Sequence, residues 1–186
     1  MDFDKVLRER KCTRSFSTKK VSFDEVAEIC EAARFAPMAG NIYTVRLVLV
    51  SDKKTKQQLV EAALDQEFIG EADYVIAVCS DIGQLARSYG SRAEIYARQQ
   101  AGAAIENIFL KAMDLGLATC WIGAFDENAV KRILNIPDEV RVEALLPISY
   151  AVAGKAEMKK KPDLKMILNF EKWGQKTAKR PKTAVP

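Results

Sequence analysis

Apolar residues recur along this chain at two spacings, and each spacing predicts an element. Residues 2–9 read as a short helix, followed by a polar break at 10–20. Ser22 and Glu25 have the spacing of a capping box, with Ser22 as N-cap. Val26, Ile29, Cys30 and Ala33 repeat at helical intervals and form the apolar face of a helix that stops before Pro37. Val45 to Val50 is short and β-branched, so it predicts a strand. Residues 53–64 predict a helix. Tyr74 to Cys79 is a near-continuous apolar run, the pattern of a strand covered on both faces. Ala93 to Leu115 is the longest helical stretch; about 23 residues at about 1.5 Å each span about 35 Å, the width of a domain. Its small centre, Ala101-Gly102-Ala103-Ala104-Ile105, permits close packing on several sides, so a central buried helix is expected. Leu117 to Ile122 reads as a third buried strand, and Glu127 to Leu134 as a helix ended by Asn135 ahead of Pro137. Val142 to Ala153 reads as a fourth strand region and Lys165 to Phe170 as a short terminal strand. Strands alternating with helices predict an α+β or α/β sandwich.

A length of 186 residues, 48% of them hydrophobic, suffices for one domain with its own core and excludes a disordered chain. No window is long and apolar enough for a membrane span. The start, Met1-Asp2-Phe3-Asp4, lacks a secretory pattern, so a cytoplasmic protein is expected. No repeat or internal linker interrupts residues 1–174. The segment 175–186, rich in Lys, Thr, Ala and Pro, is expected either to be disordered or to wrap onto a partner.

Histidine is absent. This excludes Ser-His-Asp and Cys-His catalysis, imidazole general bases and His-containing zinc sites. Chemistry must then rest on Lys, Arg, Tyr, carboxylates, thiols, backbone donors or a borrowed cofactor. Cys12, Cys30, Cys79 and Cys120 lie far apart with no C-x-x-C spacing, so zinc ribbons and thioredoxin-type redox motifs are not expected. The thiols are expected reduced, with Cys30 and Cys79 in the core.

The net charge of +4 is unevenly placed. From Lys155 onward there are ten Lys/Arg and three Asp/Glu, and Arg8, Arg10, Lys11, Arg14, Lys19 and Lys20 crowd around the single Glu9 near the start. Two basic segments at opposite ends point to an anion held where they meet, or to a nucleic-acid surface. No Gly-x-Gly-x-x-Gly and no Walker loop is present, so a bound nucleotide would not sit in a Rossmann domain.

Four segments are candidates for chemistry. Arg10-Lys11-Cys12-Thr13-Arg14-Ser15-Phe16 offers cations and short polar groups suited to a phosphate. Ala33-Arg34-Phe35-Ala36-Pro37-Met38-Ala39-Gly40-Asn41 ends a helix in a small-residue turn. Gly116-Leu117-Ala118-Thr119-Cys120-Trp121-Ile122-Gly123-Ala124 is a strand ending in a Gly-Ala corner where a flat ring could approach backbone, with Trp121 open to a plain core role. Lys159-Lys160-Lys161-Pro162 could clamp an anion, but it lacks the interleaved aromatics of single-strand binding. Taken singly, each also fits a plainer role as solvated loop, connection or core strand.

Their order and spacing together resemble the nitroreductase family of FMN enzymes, over about residues 3–174. That resemblance implies an α+β, three-layer sandwich with a central, mostly antiparallel sheet and a long buried helix. It also implies a domain-swapped homodimer with sites at the subunit interface. Arg10, Lys11 and Cys12 would hold the flavin phosphate and ribityl chain, and Arg14 would reach the pyrimidine edge. Pro37, Met38, Ala39 and Asn41 would line the ring from the partner subunit. Ile122, Gly123 and Ala124 would present backbone to its other side, and Lys160 or Lys161 would return to the phosphate. No protein group is implied as the catalytic one, because the flavin N5 carries the chemistry. The implied activity passes electrons from NADH or NADPH to a small oxidised acceptor, a nitroaromatic or quinone, by a ping-pong mechanism. Reductive dehalogenation or flavin fragmentation on the same fold, and a basic nucleic-acid-binding protein, are the competing readings. The chain departs from the family pattern where Cys12 and Met38 replace Ser, where Tyr43-Thr44-Val45 replaces Gln-Pro-Trp, and where Ser149 replaces Gly. Segment 65–95, which would cover the site, carries no motif.

Overall fold

The β-branched and apolar runs assemble into one antiparallel sheet, and its two faces explain the sequence pattern. The computed structural model describes residues 2–154 and 160–178. Its four strands are β1 (Val45–Val50), β2 (Tyr74–Ser80), β3 (Ala118–Thr119) and β4 (Arg141–Ser149), in the order β1-β2-β4-β3. Val48 pairs with Ala77, and Ala77 pairs with Leu145. Successive side chains of β2 point to opposite faces. Ile76 and Val78 enter one apolar cluster, while Val75, Ala77 and Cys79 enter the other. The unbroken apolar run therefore reflects a strand with two dry faces.

The helices are α1 (Phe3–Glu9), α2 (Phe23–Ala32), α3 (Lys53–Ala62), α4 (Phe68–Glu71), α5 (Gly83–Tyr89), α6 (Ala93–Asp114), α7 (Glu127–Leu134) and α8 (Leu164–Ile167). On one face of the sheet, Val26 and Ile29 of α2 pack with Ala104, Ile105, Ile108 and Ala112 of α6. On the other, Leu59 and Val60 of α3 pack with Ile69 of α4 and Val130 of α7. This is the expected three-layer α+β sandwich. With 22 residues, α6 is about 33 Å long and crosses the whole layer.

The predicted caps are present. The Ser22 hydroxyl accepts from the Glu25 N–H at 3.2 Å, and the Ser22 N–H donates to the Glu25 carboxylate at 2.8 Å. The Tyr150 hydroxyl also donates to Glu25 at 2.6 Å, tying the start of α2 to the chain just beyond β4. These bonds hold the Glu25 carboxyl down to about 2. A second tie is Asp73, which accepts from Lys20 Nζ (2.8 Å), Val21 N–H (3.1 Å) and Ser149 Oγ (2.9 Å). Burial opposes its charge, but these donors prevail and its carboxyl is held below the usual range. Ser149 therefore has a structural use where the family pattern has Gly.

Several boundaries differ from expectation. Residues 165–170 form no strand: Asp163 caps the Lys165 N–H, and the Leu168 N–H bonds to the Leu164 carbonyl, giving the short helix α8. The expected strand 117–122 keeps only Ala118–Thr119 in the ladder, and the chain rejoins it through the single bridge Ile122–Leu145. The helix from Lys53 stops at Ala62, because Leu64 and Asp65 adopt left-handed backbone. The fourth strand ends at Ser149, and Ala151 makes only an isolated bridge with Phe16. Segment 65–95, without a motif in the sequence, supplies α4 and α5. Cys30 is only half-buried, although it packs against the core. Lys159 and residues 179–186 lie outside the described residues. Within 175–178, the Phe170 N–H bonds to the Gln175 carbonyl and Lys176 Nζ donates to the carbonyls of Met166 and Leu168.

Candidate functional site

Residues 10–17 are not a free solvated loop. They are stitched to the sheet edge beyond β3. Cys12 bridges Thr119 in parallel, with the Thr13 N–H donating to the Thr119 carbonyl at 2.9 Å. Phe16 then bridges Ala151 in the antiparallel sense, and the Ser17 N–H reaches the Tyr150 carbonyl at 2.8 Å. Because side chains alternate along an extended segment, Thr13 is buried while its neighbours Cys12 and Arg14 are exposed.

The cations of this segment are individually positioned. Arg10 Nε lies 3.1 Å from Glu106 of α6, and its guanidinium carbon is 5.7 Å from the centre of the Phe109 ring. The Arg14 guanidinium sits 5.9 Å from the centre of the Phe68 ring on α4. Beneath Arg10, Lys11 and Thr13 is a cavity of about 130 Å³ walled by Phe109, Met113 and Leu117. Thr119 Oγ1, at the same edge, is buried without a hydrogen-bond partner among the described residues.

The strand corner adjoins this edge. Ile122 is buried, and its N–H and carbonyl are both spent on Leu145, at 3.1 and 3.0 Å. Gly123 and Ala124 are exposed, and their N–H groups donate no backbone hydrogen bond among the described residues. A Cβ on Gly123 would meet only Trp121 Nε1, at 4.0 Å, so the chain's own packing leaves the space above this backbone open. Trp121 is not core: it is 42% exposed and tilts over Phe109 at 6.4 Å between ring centres. The corner thus offers open backbone, an aromatic wall and nearby guanidinium groups.

The loop 37–41 lies elsewhere. Met38 packs on the core under α2, and Ala39 packs against Leu85, Ala93 and Ala97. Gln100 fixes the following strand by accepting from the Thr44 hydroxyl at 2.8 Å. Pro37 and Asn41 are exposed. Ala97 and Gln100 lie nine residues before Glu106 and Phe109 respectively, so these two contact regions are offset by about 14 Å along α6. Lys161 lines a cleft of about 520 Å³ with Asp4, Leu7 and Arg8, which brings it to the helix leading into the Arg10 segment. Lys160 is exposed.

Phe68, Glu106 and Phe109 position the two arginines, and none was singled out in the sequence. A helical Phe or Glu carries no local signal of the loop it will meet. Cys120, which the sequence placed in the strand-corner segment, follows the Thr119 that bridges Cys12. Its thiol donates to the Trp121 carbonyl at 3.9 Å and lies beside Cys12, 108 positions earlier in the sequence.

Comparison with known proteins agrees with this architecture. The Nitroreductase family profile matches residues 7–67 and 63–150. A provisionally named NADH dehydrogenase/NAD(P)H nitroreductase of Archaeoglobus fulgidus is 27% identical over 150 residues, spanning 78% of this chain and 83% of that one. An FMN reductase [NAD(P)H] of Bacillus subtilis is 27% identical over 164 residues, 81% of this chain and 64% of that one. The crystal structure of a nitroreductase family protein from Clostridium novyi NT superposes with a TM-score of 0.76 at 29% identity, covering 94% of this chain and 96% of that chain. With its matched span reaching from the Arg10 segment to the end of β4, the chain belongs to the nitroreductase family.

Proposed function

We propose that this chain is an FMN-dependent oxidoreductase that draws on NADH or NADPH and reduces a small oxidised acceptor. The carrying observation is the edge where Arg10, Cys12 and Arg14 meet the open Gly123–Ala124 backbone beside Trp121. The donor set suits the parts of FMN. Guanidinium and ammonium groups of Arg10 and Lys11 would hold a phosphate, and the Cys12 thiol and the Thr119 hydroxyl, buried without a partner among the described residues, would serve a ribityl chain. Exposed Gly123 and Ala124 N–H groups suit a flat ring edge, and Arg14 places a positive charge where negative charge develops.

Bound there, FMN would supply the redox chemistry linking reduced nicotinamide to an acceptor such as a nitroaromatic or quinone. The protein's share is to bind, orient and stabilise charge, so the absence of histidine is no obstacle. Pro37, Met38, Ala39 and Asn41 complete the site in a homodimer, contributed by the other subunit. The resemblance puts Lys160 first at the phosphate and Lys161 second, but the place of Lys161 beside Leu7 and Arg8 of α1 favours Lys161 for that role. Residues 1–174 act as one cofactor-binding domain. Among the described residues no helix is long and apolar enough to cross a membrane.

The test is direct. Purified protein should carry or take up FMN in stoichiometric amount, and anaerobic NADH or NADPH should bleach its flavin absorbance. Reoxidation by a panel of quinones, nitroaromatics and halogenated phenols then separates acceptor classes; fastest reoxidation by a halogenated phenol would favour reductive dehalogenation. Protein that refuses FMN, or FMN protein that neither nicotinamide bleaches, overturns the proposal.

A further inference from the structure

We propose that Cys12 and Cys120 form a peroxide-sensitive thiol pair that closes reversibly into a disulfide at the edge of the candidate site. The two residues come together through the sheet. Cys12 bridges Thr119, the residue before Cys120, and neighbouring strands lie about 4.8 Å apart. One further residue along the chain adds about 3.3 Å, which puts the two Cα atoms about 6 Å apart. That lies inside the range of about 4.4–6.8 Å that a disulfide spans. In a regular ladder Cys120 would face away from Cys12. The ladder of β3 ends at Thr119, however, and beyond it the Cys120 thiol, which donates to the Trp121 carbonyl at 3.9 Å, comes close enough to the Cys12 sulfur to interact with it.

The pair is also chemically asymmetric. Cys12 is exposed and Cys120 is buried. The Cys120 S–H bond lowers the Cys12 pKa most; burial opposes it, and the Trp121 N–H, Arg10 and Arg14 add to the lowering, bringing the thiol to about 5. The Cys120 thiol is pushed up by donating that same bond and by burial. Cys12 is thus an accessible thiolate, and Cys120 is a protonated thiol held against it. Cys79, buried and pushed up to about 11, and Cys30, also raised by burial, have neither feature.

The reaction needs a hydroperoxide as oxidant. The Cys12 thiolate attacks one peroxide oxygen, the O–O bond breaks, and hydroxide leaves and is protonated to water. The Cys120 sulfur then attacks the resulting Cys12 sulfenic acid. The S–S bond forms, the S–O bond breaks, and the departing hydroxide leaves as water with the Cys120 proton. Two thiols and one hydrogen peroxide give one disulfide and two waters; the protein loses two electrons and the peroxide gains them.

How the pair couples to cofactor rests on the reading of residues 10–14 as the phosphate segment. A phosphate there competes with the Cys12 thiolate for Arg10, so FMN should slow the first step. The experiment treats the purified protein with equimolar hydrogen peroxide, before and after saturation with FMN. It counts free thiols after denaturation and maps cross-linked peptides by mass spectrometry without reduction. Two of the four thiols should disappear into a peptide joining residues 12 and 120, and dithiothreitol should restore both. In Cys120→Ser the cross-link should vanish, with dimedone trapping Cys12 as sulfenic acid. Four surviving thiols, or a cross-link through Cys30 or between chains, overturns the proposal. Should Cys120→Ser fail to fold, peptide mapping of the unaltered protein decides alone. A 12–120 cross-link that forms equally fast with and without FMN upholds the pair and counts against the phosphate reading only.

Discussion

The C-terminal half of α6 carries the Arg10 segment, and its N-terminal half carries the loop 37–41. Near Glu106 and Phe109 the partly exposed side chains of Arg10, Glu106 and Trp121 gather over the buried Phe109 ring, and the adjoining backbone is open. Near Ala97 and Gln100 the contacts are apolar packing and backbone constraint. Gly40 has φ +57°, and a Cβ there would lie 2.6 Å from the Tyr89 hydroxyl. One half therefore has groups to spare for a ligand, while the other holds a loop in a set shape. A helix can bear two such different surfaces because its core face, Ala104, Ile105 and Ile108, is common to both.

Substitutions can break or sharpen that division. The largest effect belongs to the shared face. Ile105→Ala should lower unfolding stability by about 2–5 kcal/mol in urea denaturation, because it leaves a cavity between α6 and the sheet. Next, Arg10→Ala should weaken FMN binding by about 10- to 100-fold in a fluorescence titration, the loss of a charge-assisted contact worth about 1.5–3 kcal/mol. Its unfolding midpoint should hardly move, since the pair with Glu106 is partly exposed and such pairs contribute about 0–1 kcal/mol. A stability loss matching that of Ile105→Ala would erase the distinction between the two halves.

Gly40→Ala should destabilise by about 1–2 kcal/mol from left-handed backbone alone, with an added clash that Tyr89→Phe relieves. If the double variant is no more stable than Gly40→Ala, the hydroxyl contact is not what constrains this loop. The smallest effect lies outside both halves and serves as a reference. The Glu25 carboxyl is held down to about 2, so its contribution is fully present above its ordinary value of 4.5 and fades as pH falls through about 2. The urea midpoints of the wild type and Glu25→Gln should differ at pH 6 and converge toward pH 2. A difference unchanged across that range would remove the charged bonds to Ser22 and Tyr150 as its cause.

Much of the fold was legible because its signals are local. The Ser22–Glu25 box, the two-faced run of β2, the small-residue centre of α6 and the Asn135 stop act within one or two turns of chain, and each holds in the structure. The strand expected at 165–170 failed for a matching reason. Its apolar residues fit either element, and only the Asp163 cap with no neighbouring strand to pair with decided for a helix.

The amino-acid order by itself determined the absence of imidazole chemistry, the basic character of both ends and the alternation of strands and helices. It also carried the four segments that resemble the family. Tertiary structure alone decided that the Arg10 segment is sewn to β3, that Phe68, Glu106 and Phe109 hold its arginines, and that Trp121 faces outward. It alone joined Cys12 to Cys120. A contact between residues a hundred positions apart depends on the register of strands whose pairing no short stretch of sequence encodes, and the chemistry of two thiols changes once that register puts them side by side.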